Sequence, residues 1–354
     1  MLIEENKEFA PLTTLGVGGP ARWFVEAGSE DDVAAAVGWA REKNAPLFVL
    51  GGGSNLVVAD HGFNGIVLHV GVRGVRTYED AGHTVYEVGA GEDWDAFVQQ
   101  SVVDNCAGLE CLAGIPGTVG GTPVQNVGAY GQEVASTVAN VRAYDMRTLA
   151  FVDLSPAECD FAYRRSRFNT ADRGRYVITR VDYSLVSGGT ATLRYGDLQK
   201  EFPGRSDPSV KEVAEAVRHI RRSKGMLLVD GDPDCRSAGS FFKNPLVSAE
   251  QIHRIATKEG KEPPYFPAGP QEQHAGCVKI PAAWLIEHAG YAKGYALGAA
   301  GISSRHTLAL INRGGAKAAE ILALADDIAS AVKSRFDIQL EREPVLLGFA
   351  EERR

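Results

Sequence analysis

The sequence has no long apolar run, no paired-cysteine motif and no excess of basic residues. No stretch approaches the roughly 18 apolar residues of a membrane-spanning helix. The N-terminal residues MLIEENKEF also lack the basic and apolar regions of a signal peptide. These absences exclude a membrane-protein pattern, and we expect a cytoplasmic protein.

The five cysteines are odd in number and show neither CxxC nor metal-ligand spacing. This distribution argues against a disulfide-stabilised scaffold and predicts reduced thiols, as in the cytoplasm. The eight histidines form no cluster with cysteine or aspartate that indicates a metal, so we expect no metal centre.

Basic residues are outnumbered, with 37 Lys and Arg against 45 Asp and Glu and a net charge of −8. A nucleic-acid-binding protein needs a basic face, so this balance argues against a nucleic-acid partner. An anionic small-molecule substrate would have to be bound by a few locally placed lysines and arginines.

Glycine, in contrast, is abundant, and seven glycines lie within residues 108–131. Such a segment packs poorly as helix or strand, but it exposes backbone N–H groups that can bind phosphate oxygens. Gly117, Gly120 and Gly121 are the predicted positions of closest approach, and Thr122 is a predicted hydroxyl donor. A plain glycine-rich surface loop is the alternative interpretation.

A second glycine segment, GGGSN at residues 51–55, directly follows the apolar run Leu47–Leu50, which predicts a buried strand. A glycine loop after a strand is a common phosphate site in α/β proteins. The segment matches neither the Rossmann nor the P-loop pattern. Two such loops therefore predict one dinucleotide-type cofactor held mostly by backbone groups.

Apolar periodicity predicts the remaining elements. Helices are expected after Ser29, at Trp94–Val103, from Ser209 to about Lys224, at residues 249–256, at Ala282–His288 and along the apolar stripe of residues 321–332. Strands are expected at residues 66–70, 84–88, 138–144, 151–154, 176–183, 239–242, 307–311 and 338–343.

Five motifs in order carry a resemblance that covers residues 13–348: GGGSN, IPGTVGGTPVQNVGAYG, AYRRSRFN, AGSFFKNP and LEREP. Together they resemble the UDP-N-acetylenolpyruvoylglucosamine reductase (MurB) family. The resemblance implies an oxidoreductase with FAD as cofactor and NADPH as co-substrate. Such an enzyme reduces UDP-N-acetylglucosamine enolpyruvate to UDP-N-acetylmuramate, a peptidoglycan precursor.

The resemblance also implies an α+β fold with FAD-binding architecture of the vanillyl-alcohol-oxidase type. Residues 1–70 would form a first α/β subdomain, and residues 71–207 with 338–354 a second. Residues 208–337 would form a C-terminal substrate-binding domain. Tyr195, in the motif LRYGDL, is typical of the longer subclass of the family. We expect a monomer.

Three residues are expected to be catalytic by motif match: Arg164 on the substrate carboxylate, Ser240 as proton donor and Glu343 as a second electrostatic partner. The expected FAD-binding residues are Gly51, Gly52, Gly53, Ser54, Asn55, Ile115, Pro116, Gly117, Gly120, Gly121, Thr122, Gly128 and Arg221. The expected substrate-binding residues are Tyr130, Tyr163, Tyr195, Lys224, Asn244 and Lys279. Many relatives have Val-Arg after the glutamate, where this chain has Pro344 and Val345.

The same residues also have ordinary interpretations. Without the resemblance, Arg164 would be a solvated surface arginine, Ser240 a strand serine, and Glu343 part of a solvent-exposed strand face with Glu341. Two other functions remain open: an oxidase of the same architecture, and a nucleotide-binding protein that has lost activity.

Overall fold

The computed structural model describes residues 1–191, 193–268 and 276–350. Residues 351–354, at the end of the predicted domain segment 338–354, lie outside the described residues. The chain forms two compact units, which are described separately. The first unit contains Met1–Lys7, Ala21–Gly53 and Asn64–Ser223, and the second contains Glu8–Pro20, Ser54–Phe63 and Lys224–Arg354. The domain limits expected near residues 70, 207 and 337 stay a prediction.

The strands are short in most of the chain and longest in the antiparallel sheet of the first unit. In chain order they are β1 (Leu2–Glu8), β2 (Pro20–Ala27), β3 (Leu47–Leu50), β4 (Leu56–Val58), β5 (Phe63–Val70), β6 (Val75–Asp80), β7 (His83–Gly89), β8 (Cys106–Ala107), β9 (Gly128–Ala129), β10 (Gln132–Glu133), β11 (Val138–Asp145), β12 (Ala150–Leu154), β13 (Tyr176–Ser187), β14 (Leu246–Ser248), β15 (Phe266–Pro267), β16 (Cys277–Lys279), β17 (Ala296–Leu297), β18 (Ala300–Ile302), β19 (Leu310–Asn312) and β20 (Val345–Leu347).

The α-helices vary from six to nineteen residues. They are α1 (Glu30–Glu42), α2 (Trp94–Val103), α3 (Gly196–Glu201), α4 (Val210–Ser223), α5 (Ala249–Glu259), α6 (Ala282–His288) and α7 (Ala318–Phe336). Short 3-10 turns occur at Ala10–Leu12, Glu110–Leu112, Val119–Gly121, Val134–Ser136, Arg167–Asn169 and Pro233–Cys235.

The first unit contains two larger sheets. One has the strand order β1-β2-β5-β3, in which β3 and β5 run parallel. The other is antiparallel with the order β12-β11-β13-β7-β6, and β8 also pairs with β13. The long central strand β13 holds this sheet together, because it pairs with three other strands.

An aromatic cluster forms much of the core beneath this sheet. Trp94 and Phe97, on one face of α2, pack against Tyr183 of β13 with ring centroids 5.8 and 5.2 Å away. Trp94 is 0% exposed, and its indole N–H donates to the Leu112 carbonyl at 3.3 Å. Helix α2 is thereby fixed to the segment that carries the glycines of residues 108–131.

The second unit is built around α7, whose buried face carries the apolar stripe expected from the sequence: Ile321, Leu322, Ala325, Ile328 and Val332. The Asp60 carboxylate accepts the N–H groups of Ala318 and Ala319 at 2.7 and 3.1 Å, which satisfies two donors at the start of this helix. Three small sheets complete the unit, with orders β14-β16-β15, β17-β18-β19 and the parallel pair β20-β4.

Most expected elements are confirmed. Ser29 caps α1, and Ser209 and Glu212 form a full reciprocal capping box before α4. The helices expected at Trp94–Val103 and Ala282–His288 form with those bounds. Helix α4 ends at Ser223, next to the expected end at Lys224.

Two predicted strands are wrong, and one is displaced. Residues 239–242 and 338–343 form no strand; single bridges Ser237↔Ile311 and Phe242↔Arg342 occur instead. The last strand, β20, lies at Val345–Leu347, and the strand expected at 307–311 begins at Leu310. The alternating polarity of residues 338–343 indicated an extended backbone. It did not indicate whether a partner strand of sufficient length lies beside these residues.

Replacing Trp94 with alanine should lower the free energy of unfolding by about 3–5 kcal/mol, because the change opens a large cavity in the core. Val103→Ala, on the same helix, is the matched control because Val103 is 79% exposed. It should change stability by less than about 0.5 kcal/mol. Urea unfolding followed by circular dichroism measures both, and similar losses in the two variants would contradict the packing described here.

Candidate active site

The two glycine loops meet inside the first unit. Strand β3 ends at Leu50, and a Cβ atom added to Gly52 would lie 2.6 Å from the Gly117 Cα. Real Cβ contacts are not that short, so this approach of backbone to backbone requires glycine at position 52. The loops that the sequence assigned to one cofactor are therefore neighbours.

Backbone N–H groups in both loops are available to a ligand. Within residues 1–191, 193–268 and 276–350, no group accepts a hydrogen bond from the N–H of Gly51, Gly52, Gly53, Gly117 or Thr118. Clustered N–H donors in turns form concave sites for phosphate oxygens. The pyrophosphate of FAD suits such a donor set, so the residues present fit this cofactor.

Two of the three glycines expected to approach the phosphate have their N–H groups engaged within the protein. The N–H of Gly120 donates to the Ala90 carbonyl at 2.9 Å, and the N–H of Gly121 donates to the Thr118 carbonyl at 3.0 Å. A Cβ on Gly120 would lie 2.6 Å from the Ala90 Cβ, so close packing against Ala90, the residue after β7, explains this glycine. Of the three, Gly117 best matches the expected role.

The side chain of Thr122 does not match its expected role as a phosphate donor. It is buried, and its hydroxyl donates to the Val119 carbonyl at 2.8 Å and contacts the Tyr183 hydroxyl at 2.6 Å. The hydroxyl that faces the loops belongs to Thr118, whose Oγ1 would lie 2.7 Å from a Cβ on Gly51. The sequence motif contained both threonines, but only the fold shows which one faces the core.

A buried arginine lies under the long glycine segment. Arg221, on the last turn of α4, is 7% exposed and donates from Nε to the Gly114 carbonyl at 3.0 Å. Burial lowers the pKa of its guanidinium, while the hydrogen-bonded Tyr130 hydroxyl and nearby Asp95 act in the opposite direction. A guanidinium stays protonated in proteins, so the segment has a fixed positive charge beneath it. Ile115 and Pro116, half-buried, continue the chain beyond Gly114.

Arg164 lies at a strained turn of the same unit. Its backbone has φ of +53°, a left-handed conformation that costs a non-glycine residue free energy. Its Nη2 donates to the Gly128 carbonyl at 2.7 Å, its Nε is buried, and its guanidinium carbon lies 5.3 Å from the Tyr163 ring centroid. Arg164 is thus a half-buried, oriented cation rather than a solvated surface residue.

Tyr130 and Tyr195 extend this cluster. Their rings pack edge to face with centroids 5.6 Å apart, and Tyr195 remains 41% exposed. Tyr195 lies at the end of the loop that leads into the short helix α3, where it is the N-cap residue. Tyr130 belongs to the tight turn between β9 and β10, and Tyr195, Arg164 and Arg221 contact this turn or its flanking strand.

The second unit brings the expected proton donor and the expected glutamate together. The N–H of Glu343 donates to the carbonyl of Phe241, the residue after Ser240, at 2.9 Å. The N–H of Lys243 donates to the Glu341 carbonyl at the same distance. Although no strand forms, these two bonds hold the segments of Ser240 and Glu343 side by side.

Residues 54 and 55 belong to this second unit. The Asn55 side chain donates to the Glu343 carbonyl at 3.3 Å, and the N–H of Val345 donates to the Asn55 carbonyl at 3.0 Å. The Ser54 carbonyl accepts from the Thr14 hydroxyl at 3.4 Å. The Pro344–Val345 sequence leads directly into strand β20, which pairs with β4.

No strand forms at Glu341 and Glu343, so the strand face expected to carry both residues is absent. The Glu341 carboxylate is exposed and forms an ion pair with the Lys243 ammonium at 2.5 Å. Arg342, between them, forms an ion pair with Asp326. The Glu341 carboxylate thus has a lysine as its partner, outside the expected pair of glutamates.

The expected substrate residues of the second unit are dispersed along it. The Asn244 side-chain oxygen accepts the N–H of Ala282 at 2.9 Å, which gives Asn244 a structural role at the start of α6. Lys279 lies in β16 opposite Leu246 and Phe266. Lys224 is half-buried directly after α4. Their contacts with a substrate stay predictions.

Comparisons with known proteins agree with this arrangement. Residues 21–149 match the model of an FAD-binding domain, and residues 232–347 match the C-terminal domain of UDP-N-acetylenolpyruvoylglucosamine reductase. A protein of that name from Streptomyces coelicolor is 46% identical over 351 residues, covering 96% of this chain and 89% of that protein. One from Thermobifida fusca is 46% identical over 97% of both chains. The chain belongs to the UDP-N-acetylenolpyruvoylglucosamine reductase family.

A solved structure of this family gives the same fold. The crystal structure of the Thermus caldophilus reductase matches 98% of both chains with a TM-score of 0.63 and 26% identity. The expected α+β fold with FAD-binding architecture of the vanillyl-alcohol-oxidase type is confirmed. As a MurB family member, the chain is an oxidoreductase that uses FAD and NADPH.

None of the helices in the described parts of the chain has the length and apolar character of a bilayer-crossing segment.

Two threonine variants test which hydroxyl faces the cofactor. Thr118→Val should weaken FAD binding about 2- to 10-fold, since one hydrogen bond contributes about 0.5–1.5 kcal/mol. Thr122→Val should leave FAD affinity unchanged but lower stability by about 1–3 kcal/mol, because the buried Tyr183 hydroxyl loses its partner. Titration of apoprotein with FAD, followed by flavin fluorescence, and thermal unfolding measure the two effects. The opposite pattern would restore Thr122 as the phosphate ligand.

Proposed function

We propose that this chain reduces UDP-N-acetylglucosamine enolpyruvate to UDP-N-acetylmuramate, and that Arg164, Ser240 and Glu343 act on the enolpyruvyl group. The observation that carries the proposal is near-full-length similarity to reductases named for this substrate. The two glycine loops would hold FAD, which would supply the alkene carbon beta to the carboxylate with a hydride taken from NADPH. The protein must then stabilise negative charge at the carboxylate and supply a proton to the alpha carbon.

Arg164 is suited to bind the carboxylate. Its guanidinium is oriented by the Gly128 carbonyl, and a planar fork of N–H groups matches a planar carboxylate. A cation at this position stabilises charge that increases during hydride addition, which is the condition for lowering the barrier. Tyr163 and Tyr130 lie beside Arg164 and Arg221, where they can contact the same ligand.

Ser240 is suited to deliver the proton. A serine hydroxyl is a weak acid, so it can protonate carbon only when the acceptor is a strongly basic enolate held against it. The N–H of Glu343 donates to the carbonyl of Phe241, the residue after Ser240, and this backbone hydrogen bond supports a shared role for the two residues. Glu343 would provide the second electrostatic contribution at the reacting group.

The diphosphate of the substrate needs cations in a chain of net charge −8. Lys224 and Lys279 are the proposed cations, with Asn244 and Tyr195 as hydrogen-bonding partners. We also infer a monomer that works in the cytoplasm and supports cell-wall synthesis, cell shape and division. The five cysteines are free thiols, which is consistent with a reducing compartment.

Ser240→Ala should slow reoxidation of the flavin by the enolpyruvyl sugar by about 10²–10⁴-fold, the usual effect of losing a general acid. Reduction of the flavin by NADPH should stay near the wild-type rate, because no proton donor at the substrate alpha carbon is needed there. Anaerobic stopped-flow absorbance measures the two half-reactions separately.

Ser330→Ala is the control for Ser240→Ala, since Ser330 is an exposed serine of α7 in the same unit. Ser237 is not a neutral control, because its hydroxyl accepts the N–H of Gly239 at 3.3 Å. Reoxidation of Ser240→Ala within about threefold of wild type would remove Ser240 from the mechanism.

Lys224→Ala should raise KM for the sugar nucleotide at least about 10-fold, as expected for a charge-assisted hydrogen bond worth about 1.5–3 kcal/mol. Flavin reduction by NADPH should be unaffected. Lys333→Ala, which removes a lysine exposed on α7, should leave KM unchanged. Steady-state kinetics with varied sugar nucleotide decide the matter; an unchanged KM in Lys224→Ala would show that this lysine does not contact the substrate.

A further inference from the structure

The backbone of Arg164 is held in its left-handed conformation by a closed turn. Ala162 and Arg165 exchange two backbone hydrogen bonds of 2.9 and 3.1 Å across it. The Asn169 side chain donates to the Arg164 carbonyl at 3.2 Å. A strained residue of this kind persists only where its surroundings determine it, so whatever fixes the base of the turn fixes Arg164.

The base of that turn is bonded to a buried amide. Asn126 is 1% exposed, and its Nδ2 donates to the Ala162 carbonyl at 3.0 Å and to the Glu133 carboxylate at 2.9 Å. Its Oδ1 accepts the N–H of Ala135 at 3.0 Å. Both amide donors and the acceptor are therefore used, and a buried network satisfied in this way specifies one geometry.

The guanidinium of Arg164 is oriented through the same asparagine. Gly128, whose carbonyl accepts from Arg164 Nη2, pairs with Glu133 across the turn between β9 and β10. Glu133 in turn accepts from Asn126. The Asn126 amide thus determines both the backbone position of Arg164, through Ala162, and the carbonyl that orients its side chain.

Position 126 also restricts the residue type. Asn126 has φ of +46°, a conformation that asparagine and glycine adopt more readily than other residues. Glycine would keep the backbone but lose the three amide hydrogen bonds. Aspartate would keep the shape but place a carboxylate oxygen against two acceptors, the Ala162 carbonyl and Glu133.

We propose that Asn126 is a positioning residue for Arg164, and that its amide is required for productive binding of the substrate carboxylate. The inference rests on the proposed role of Arg164 at that carboxylate. The side-chain hydrogen bonds of Asn126 go to Ala162, Glu133 and Ala135, so we assign its effect to the position of Arg164. Small displacements of a positioning group can slow a reaction about 10²-fold, so the effect should be measurable.

The experiment measures both half-reactions per bound flavin in the purified holoenzyme. In Asn126→Asp, flavin reoxidation by the enolpyruvyl sugar should slow at least about 10-fold, with flavin reduction by NADPH within about threefold of wild type. A purely structural loss would lower the amount of folded holoenzyme without changing the ratio of the two rates. Equal slowing of both half-reactions would therefore overturn the proposal.

Asn140→Asp is the matched control. The Asn140 side chain also donates from Nδ2 to two acceptors, Asp153 at 3.0 Å and Asp182 at 3.1 Å, but it lies on β11 away from the Arg164 turn. This variant should lose stability and keep both rates. Selective slowing of reoxidation in Asn140→Asp would show that the effect is not specific to Arg164 and would count against the proposal.

A double variant tests whether Asn126 acts through Arg164. If it does, Asn126→Asp with Arg164→Ala should be no slower in reoxidation than Arg164→Ala alone, whereas independent effects multiply. A multiplied effect overturns the inference. Normal reoxidation in Arg164→Ala overturns the proposed role of Arg164 itself, while a slow Arg164→Ala with a normal Asn126→Asp overturns only the positioning.

Asn126→Gly keeps the proposal testable if Asn126→Asp does not fold or bind FAD. Glycine accepts the left-handed backbone, so the variant isolates the loss of the amide. Reoxidation should again slow at least about 10-fold with flavin reduction unchanged. A normal rate in Asn126→Gly would show that backbone conformation, and not the amide, positions Arg164.

Discussion

The close approach of Gly52 to Gly117 is the contact on which the cofactor site depends. Because a side chain at position 52 would collide with the opposite backbone, the two loops can meet only through glycine. Where the loops meet, several N–H donors have no acceptor among the described residues, and the buried guanidinium of Arg221 bonds to Gly114 of the longer loop. Directed N–H dipoles and one fixed cation can bind an anionic cofactor in a net-acidic protein.

In the same unit, backbone strain occurs at two residues that we propose to contact the substrate. Arg164 and Tyr130 both have positive φ, at +53° and +48°, and both contact or belong to the short turn between β9 and β10. Such conformations are maintained by surrounding hydrogen bonds, which here converge on Asn126 and Asn169. Orientation of the cation before substrate arrives lowers the reorganisation needed during reaction.

In the second unit, backbone without regular secondary structure holds two segments side by side where a strand was expected. Ser240 and Glu343 are placed by two backbone hydrogen bonds and a single bridge between their segments. Residues 338–343 alternate in polarity as a strand does, yet the side chains there serve separate local contacts, including the Lys243–Glu341 ion pair. The extended segment then continues into β20, which pairs with β4 next to Asn55.

The sequence by itself determined the family, the cofactor, both glycine loops and most helices, because each depends on local residue order. Glycine after the Leu47–Leu50 strand, the capping box at Ser209 and the apolar stripe of α7 are signals read from neighbours in the chain. Only the tertiary structure decided which hydroxyl, Thr118 or Thr122, faces the loops, since that depends on the position of Tyr183 in β13. It also decided the partners of Asn126, whose amide bonds to Ala162, 36 residues away. Contacts of that range are fixed by packing of whole elements, which no local pattern specifies.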